Sequence, residues 1–172
     1  MTILRRLSLV GLWVLAAVGL VCVLLWGATA LGFIKPLVVV SGSMEPKIMT
    51  GDLIVDTKVP ASSLVVGDVV SLPSELTDDL VTHRIVAIAP NEDGSYKLTL
   101  KGDNNAFTDA LDYTVSGEVW TPSLQLPGWG AATIRLTTPA VTLPLLIGLI
   151  GLLGLAMLPS GDAQVGRKPI LA

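Results

Sequence analysis

Cysteine occurs once in this 172-residue chain, and so does histidine. With Cys22 alone no intrachain disulfide can form, and a structural zinc centre lacks its usual ligands, so no metal or other cofactor is expected. Aromatic residues make up 5% of the sequence and charged residues 15%, against 51% hydrophobic. A soluble domain carries about 25% charge, so part of this chain is expected in lipid. The scarcity of charge is uneven. None occurs in the 28 residues between Arg6 and Lys35, or in the 26 between Arg135 and Asp162. Each gap exceeds the roughly 20 residues that cross a bilayer as helix. Pro139, Pro144 and Pro159 interrupt the second, which places its helix from near Thr138 or Pro139 to near Leu158.

The charges that are present orient these spans. Arg5, Arg6, Arg167 and Lys168 flank them against one acid, Asp162, while residues 35–138 hold the other seven bases and thirteen acids, a net of about −6. Cytoplasmic flanks carry excess Lys and Arg, so both ends are expected in the cytoplasm and the middle outside it. The expected organisation is a tip and anchor over 1–34, an extracytoplasmic domain over 35–137, a second transmembrane helix over 138–159 and a tail over 160–172. An acidic middle argues against nucleic acid as a partner. A cleaved signal peptide ending at Ala28-Thr29-Ala30 is the alternative for the first span, but Leu7 to Trp26 exceeds the usual apolar core of about 7 to 15 residues.

From Lys35 on, short β-rich runs separated by Gly and Asp turns predict a mainly β domain, with strands over 37–41, 53–56, 68–72, 80–89, 96–101 and 115–120. Trp120 and Trp129 suit either the headgroup level of a membrane or the domain's own core.

Strand alternation over Val81–Ala87 puts His83 on the face of Val81 and Ile85, where a lone histidine is more often a core residue than a catalyst. The turn Asn91–Gly94 predicts a hairpin in which paired residue numbers sum to about 185. That register sets His83 near Gly102 and so beside Asp103, with Asp109 and Asp112 following. A histidine next to a carboxylate is the base and orienter of a Ser-His-Asp arrangement. Each acid also has a plain reading as a turn or solvated loop residue. A serine nucleophile needs such a base, together with donors for the oxyanion. In Val38-Val39-Val40-Ser41-Gly42-Ser43-Met44-Glu45-Pro46, Ser43 is the candidate nucleophile, and the oxyanion donors are its own N–H and the hydroxyl of Ser41.

Taken in order, Ser41-Gly42-Ser43-Met44-Glu45-Pro46, Gly51-Asp52-Leu53, Gly67-Asp68-Val69-Val70, Thr82-His83-Arg84 and Lys101-Gly102-Asp103-Asn104-Asn105, with Asp109 beyond, resemble type I signal peptidases. The branch is that of archaea, some Gram-positive bacteria and the endoplasmic-reticulum complex, and the likeness covers residues 35 to 130. The resemblance implies a signal-peptidase-like β domain, here set between the two membrane helices expected from composition, with Ser43 as nucleophile, His83 as base and Ser41 lining the oxyanion hole. It favours Asp109 as the acid paired with His83, whereas the hairpin register favours Asp103; both stand as candidates. Implied partners are signal peptides of exported preproteins, the lipid bilayer and accessory membrane subunits. The implied location is the plasma membrane, or the endoplasmic reticulum in a eukaryote. A non-catalytic membrane-anchored assembly protein and a self-cleaving hydrolase of the same fold are the competing readings.

Overall fold

A computed structural model describes residues 2–74 and 80–157. An apolar helix, α1 (Thr2–Ala30), leads into seven strands: β1 (Lys35–Val38), β2 (Leu53–Pro60), β3 (Val69–Pro73), β4 (Leu80–Pro90), β5 (Tyr96–Lys101), β6 (Tyr113–Val115) and β7 (Glu118–Leu126). Two helices close the described chain, α2 (Trp129–Leu136) and α3 (Pro139–Met157). The strands form one antiparallel sheet in the order β1-β2-β7-β3-β4-β5-β6. The architecture is therefore a mainly antiparallel β sheet with three helices, one of them at the N-terminus.

The strand boundaries depart from the expected ones at three places, the simplest being β2, which runs four residues past the expected 56, to Pro60. The first run stops pairing as a strand at Val38, because Val39 bonds to a turn instead: its N–H donates to the Asp52 carbonyl at 2.9 Å and its carbonyl accepts from the Gly51 N–H at 2.8 Å. The run expected over 115–120 is two strands, because Gly117, at φ 67°, turns the chain between β6 and β7. A left-handed backbone of this kind suits glycine, which lacks a Cβ. The β4–β5 hairpin pairs Arg84 with Lys101 and Ile85 with Leu100, the register expected from its turn, then shifts by one residue at a bulge near Val86.

Two apolar clusters hold the sheet. The larger joins Val70, Leu72, Ile85, Leu98, Leu100, Val115 and Val119 with Ala61 and Leu64. The smaller is Met44, Ile48 and Ile54, with Leu37, Val39 and Val69 against it. Trp120 is half-buried, with the ammonium groups of Lys35 and Lys58 over its ring at 4.9 and 5.3 Å. Trp129 is exposed at the start of α2.

By length and composition, Arg6–Ala30 can cross a bilayer. Within the described residues the helix expected over 138–159 is α3, Pro139–Met157; the unexpected α2 precedes it at 68°, and by length and composition only the bent pair qualifies as a second span. Thr138 Oγ1 donates to the Arg135 carbonyl at 2.7 Å at this corner, just ahead of Pro139. Pro139 has no N–H and disfavours helix in the residue before it, which accounts for the break. The tail expected over 160–172 lies outside the described residues.

Candidate active site

Between β1 and β2 the chain makes an arm, residues 39–52, whose shape follows from two buried anchors. Met44 is 2% exposed and Ile48 7%, and both pack on Ile54 of β2. With those side chains inward, Ser43 remains partly exposed and Ser41 exposed, and their hydroxyls lie 3.3 Å apart. Asp52 ties off the base of the arm. Its carboxylate accepts from the N–H groups of Gly128 at 2.8 Å and Met49 at 3.0 Å, and from the Gln125 amide at 2.7 Å. These bonds, that from Gly128 foremost, hold the carboxyl of Asp52 below its usual range.

His83 is buried on β4, with Val70 of β3 opposite. Its Nδ1 is 2.8 Å from both carboxylate oxygens of Asp109. A carboxylate only accepts, so the proton of this bond sits on Nδ1, which in the neutral imidazole leaves the lone pair on Nε2. Asp109 arrives because its own N–H donates to the Leu100 carbonyl at 2.9 Å, which folds the 104–112 loop back against β5. Tyr113 Oη donates to Asp109 Oδ2 at 3.3 Å.

Asp103 does not pair with His83. Its carboxylate takes both Nε and Nη2 of Arg84 at 2.7 Å, and Lys47 Nζ is 3.7 Å away. The hairpin register was right, yet neighbouring residues of a strand face opposite ways, so a carboxylate that meets Arg84 is turned from His83. The guanidinium, first through its hydrogen bonds, lowers the pKa of Asp103, and the pKa of Arg84 rises in return. Arg84 Nη1 also donates to the Gly67 carbonyl at 2.6 Å, so one side chain joins three segments. Asp112 is held by Thr99 and Lys97 on β5.

The sequence reading treated Gly102-Asp103-Asn104-Asn105 as a turn with one useful acid and missed what the other three do. A Cβ on Gly102 would lie 2.6 Å from the Ser43 carbonyl oxygen, so only glycine lets the two loops approach this closely. Asn104 fastens them: its N–H donates to that same carbonyl at 2.8 Å and its side-chain amide to the Gly42 carbonyl at 3.1 Å. Asn105 lines the resulting cleft. The cleft encloses about 320 Å³ and also exposes Ser41, Ser43, Thr82 and His83, with Val38 among its apolar walls. A hydroxyl and an imidazole backed by a carboxylate thus line one partly apolar groove, a set of groups suited to acyl transfer. Among the described residues, no group of three or more His, Cys, Asp or Glu side chains is placed to hold a metal.

Residues 10–101 match the family model of signal peptidase, peptidase S26. The matched stretch contains Ser41, Ser43 and His83; Asp103 and Asp109 lie just beyond it. The chain is 34% identical over 95 residues to the signal peptidase complex catalytic subunit SEC11C of Canis lupus familiaris, covering 55% of this chain and 49% of that protein. It is 38% identical over 87 residues to the signal peptidase complex catalytic subunit sec11 of Dictyostelium discoideum, covering 50% and 48%. The chain spans about half the length of the curated relatives it matches.

Proposed function

Because the chain belongs to the signal peptidase family, peptidase S26, we propose that it is a membrane-bound serine endopeptidase that removes signal peptides from exported preproteins. The observation that carries this reading is the 2.8 Å bond from His83 to Asp109 on the wall of the cleft that contains Ser43. In the proposed reaction Nε2 of His83 takes the proton of Ser43 as its hydroxyl attacks the scissile carbonyl, and later returns a proton to the leaving amine. Asp109 fixes the tautomer and stabilises the imidazolium. The Ser43 N–H and the Ser41 hydroxyl receive the oxyanion. Asp103 is assigned a supporting role, holding Arg84 and with it the turn that seats Ser43.

Substrate recognition follows from the sheet edge. β1 is an outer strand, and Val39 turns both its backbone groups inward to Gly51 and Asp52. Alternation then points the backbone groups of Val38 and Val40 outward, where an extended peptide can add as a further strand. We place α1 across the membrane as an anchor, the β domain on its extracytoplasmic face and the bent α2–α3 pair as the second crossing. The membrane is the endoplasmic reticulum if the cell is eukaryotic. The names of the relatives, catalytic subunits of signal peptidase complexes, support accessory subunits as partners.

The test is cleavage of a membrane-inserted preprotein. Ser43→Ala and His83→Ala should each lower the rate by about 10⁶-fold and Asp109→Asn by about 10⁴-fold, the scales on which loss of a triad serine or histidine and of its aspartate act. Processing by Ser43→Ala at the wild-type rate would overturn the assignment.

A further inference from the structure

The family match ends at residue 101, yet the helix that begins at Trp129 is built into the back of the cleft. A Cβ on Gly130 would lie 2.5 Å from the Asp52 carbonyl oxygen and 2.7 Å from Val38 Cγ1. Val38 lines the cleft. The Ala131 N–H donates to the Gly51 carbonyl at 2.9 Å, and the Gly128 N–H to Asp52 Oδ1 at 2.8 Å. Gly51 and Asp52 in turn hold Val39, through the two backbone bonds that end β1. A continuous set of contacts therefore runs from the first turn of α2, through the 51–52 turn, to the strand that forms the cleft wall.

Helix geometry explains why the contact needs these residues. Gly130 is the buried residue of α2, while Trp129, Ala132 and Leu136 on the other side are exposed. In an ordinary helix interior, alanine is about 1 kcal/mol better than glycine, so glycine here serves the close approach and not the helix. The first-turn N–H groups have no intrahelical acceptor; two of them are spent on Gly51 and Asp52.

We infer that α2 is a positioning helix for the substrate-binding wall: seated through Gly130 and Ala131 on the 51–52 turn, it fixes Val38 and Val39 at the depth the substrate meets. The inference rests on the proposed function for its consequence, but its geometry does not depend on it. Because α2 continues into α3, the wall is tied to the same bent helix pair assigned to the membrane. Chain outside the matched region thus determines how a peptide is seated.

The full-length protein in detergent or vesicles tests this with two readouts. Gly130→Ala should push on both Val38 and the Asp52 carbonyl, and so speed amide exchange at Val39 and Gly51 by about tenfold while leaving Leu98 and Leu100 protected. For a cleavable precursor it should raise KM by about tenfold with kcat within about twofold, the pattern of lost ground-state binding. Ala131→Pro, in the first turn where proline is tolerated and after a glycine, removes the donor to Gly51 and should act in the same direction more weakly. Ala132→Leu, on the exposed side, should change neither readout. If Gly130→Ala unfolds the protein, Ala131→Pro decides. Unchanged exchange at Val39 and Gly51, with unchanged KM, overturns the inference and leaves the proposed function standing. Should Ser43→Ala cleave as well as wild type, the function fails, and exchange, which needs no substrate, still decides the role of α2.

Discussion

The two apolar clusters of the β domain are stabilised in different ways, and the difference bears on the candidate site. The larger cluster unites nine buried residues, and three of its members, Val70, Leu98 and Leu100, have no exposed surface. At about 1.5 to 3 kcal/mol for each fully buried large side chain, burial suffices to hold it. The smaller cluster has three buried members, Met44, Ile48 and Ile54. It is supplemented by directed bonds: Asp52 gathers Met49, Gln125 and Gly128, and Asn104 gathers Gly42 and Ser43. Apolar packing tolerates small sliding, whereas a hydrogen bond fails outside a narrow range of distance and angle. The arm that carries Ser43 is held by the interaction type that fixes position best.

The largest effect that would separate the two clusters is Leu100→Ala. Deleting a fully buried leucine from the larger cluster should cost about 2 to 5 kcal/mol, read as a lowered denaturation midpoint, with the activity of the molecules that remain folded nearly unchanged. Asn104→Ala should reverse that ratio. Losing the side-chain bond to the Gly42 carbonyl, while the backbone bond to Ser43 remains, should lower stability by about 1 kcal/mol, yet loosen the arm that carries Ser43 and reduce kcat/KM by about tenfold or more. A loss of activity no greater than the loss of folded protein would erase the contrast.

The smallest effect concerns Asp56, which lies between the two regions on β2. It has no exposed surface, and neither oxygen has a hydrogen-bond partner among the described residues. Burial raises its pKa, opposed by the nearby Ser71 hydroxyl, itself bonded to Thr82 at 2.8 Å, and by the charge of Lys35. A raised folded pKa means the folded chain holds this proton to higher pH than the unfolded chain does. Its contribution to stability is therefore present at acid pH and lost as pH climbs from about 4, the unfolded value, through the folded one. Asp56→Asn should raise the midpoint of thermal unfolding at neutral pH and flatten this part of its pH dependence. An Asn variant that parallels the wild type across pH 4 to 8 would mean that Asp56 is not the group responsible.

Part of the site was readable residue by residue. His83 falls on the apolar face because alternation is local, and the hairpin register follows from the turn Asn91–Gly94. The bond from Asp109 to His83 was not readable in that way. It depends on the 104–112 loop returning to β5 through the Asp109 N–H, a contact between chain segments that no periodicity encodes. Asp103 was placed beside the right strand but assigned to the wrong neighbour, since one residue of difference along a strand exchanges Arg84 for His83. Helix α2 escaped notice because Trp129–Leu136 is short and holds one charge and one glycine, and its stability comes from what it packs on.

By itself the sequence determined the apolar helices, the strand-rich middle, the single imidazole and the two serines beside a glycine, because each follows from local pattern or from a count. Tertiary structure decided for Asp109, which the resemblance favoured, over Asp103 as the neighbour of His83, and it alone decided that Gly102 admits the Ser43 carbonyl and that α2 backs Val38. Those outcomes turn on ångström-scale approaches between segments far apart in the chain, where a Cβ or a strand face admits one arrangement and excludes the next.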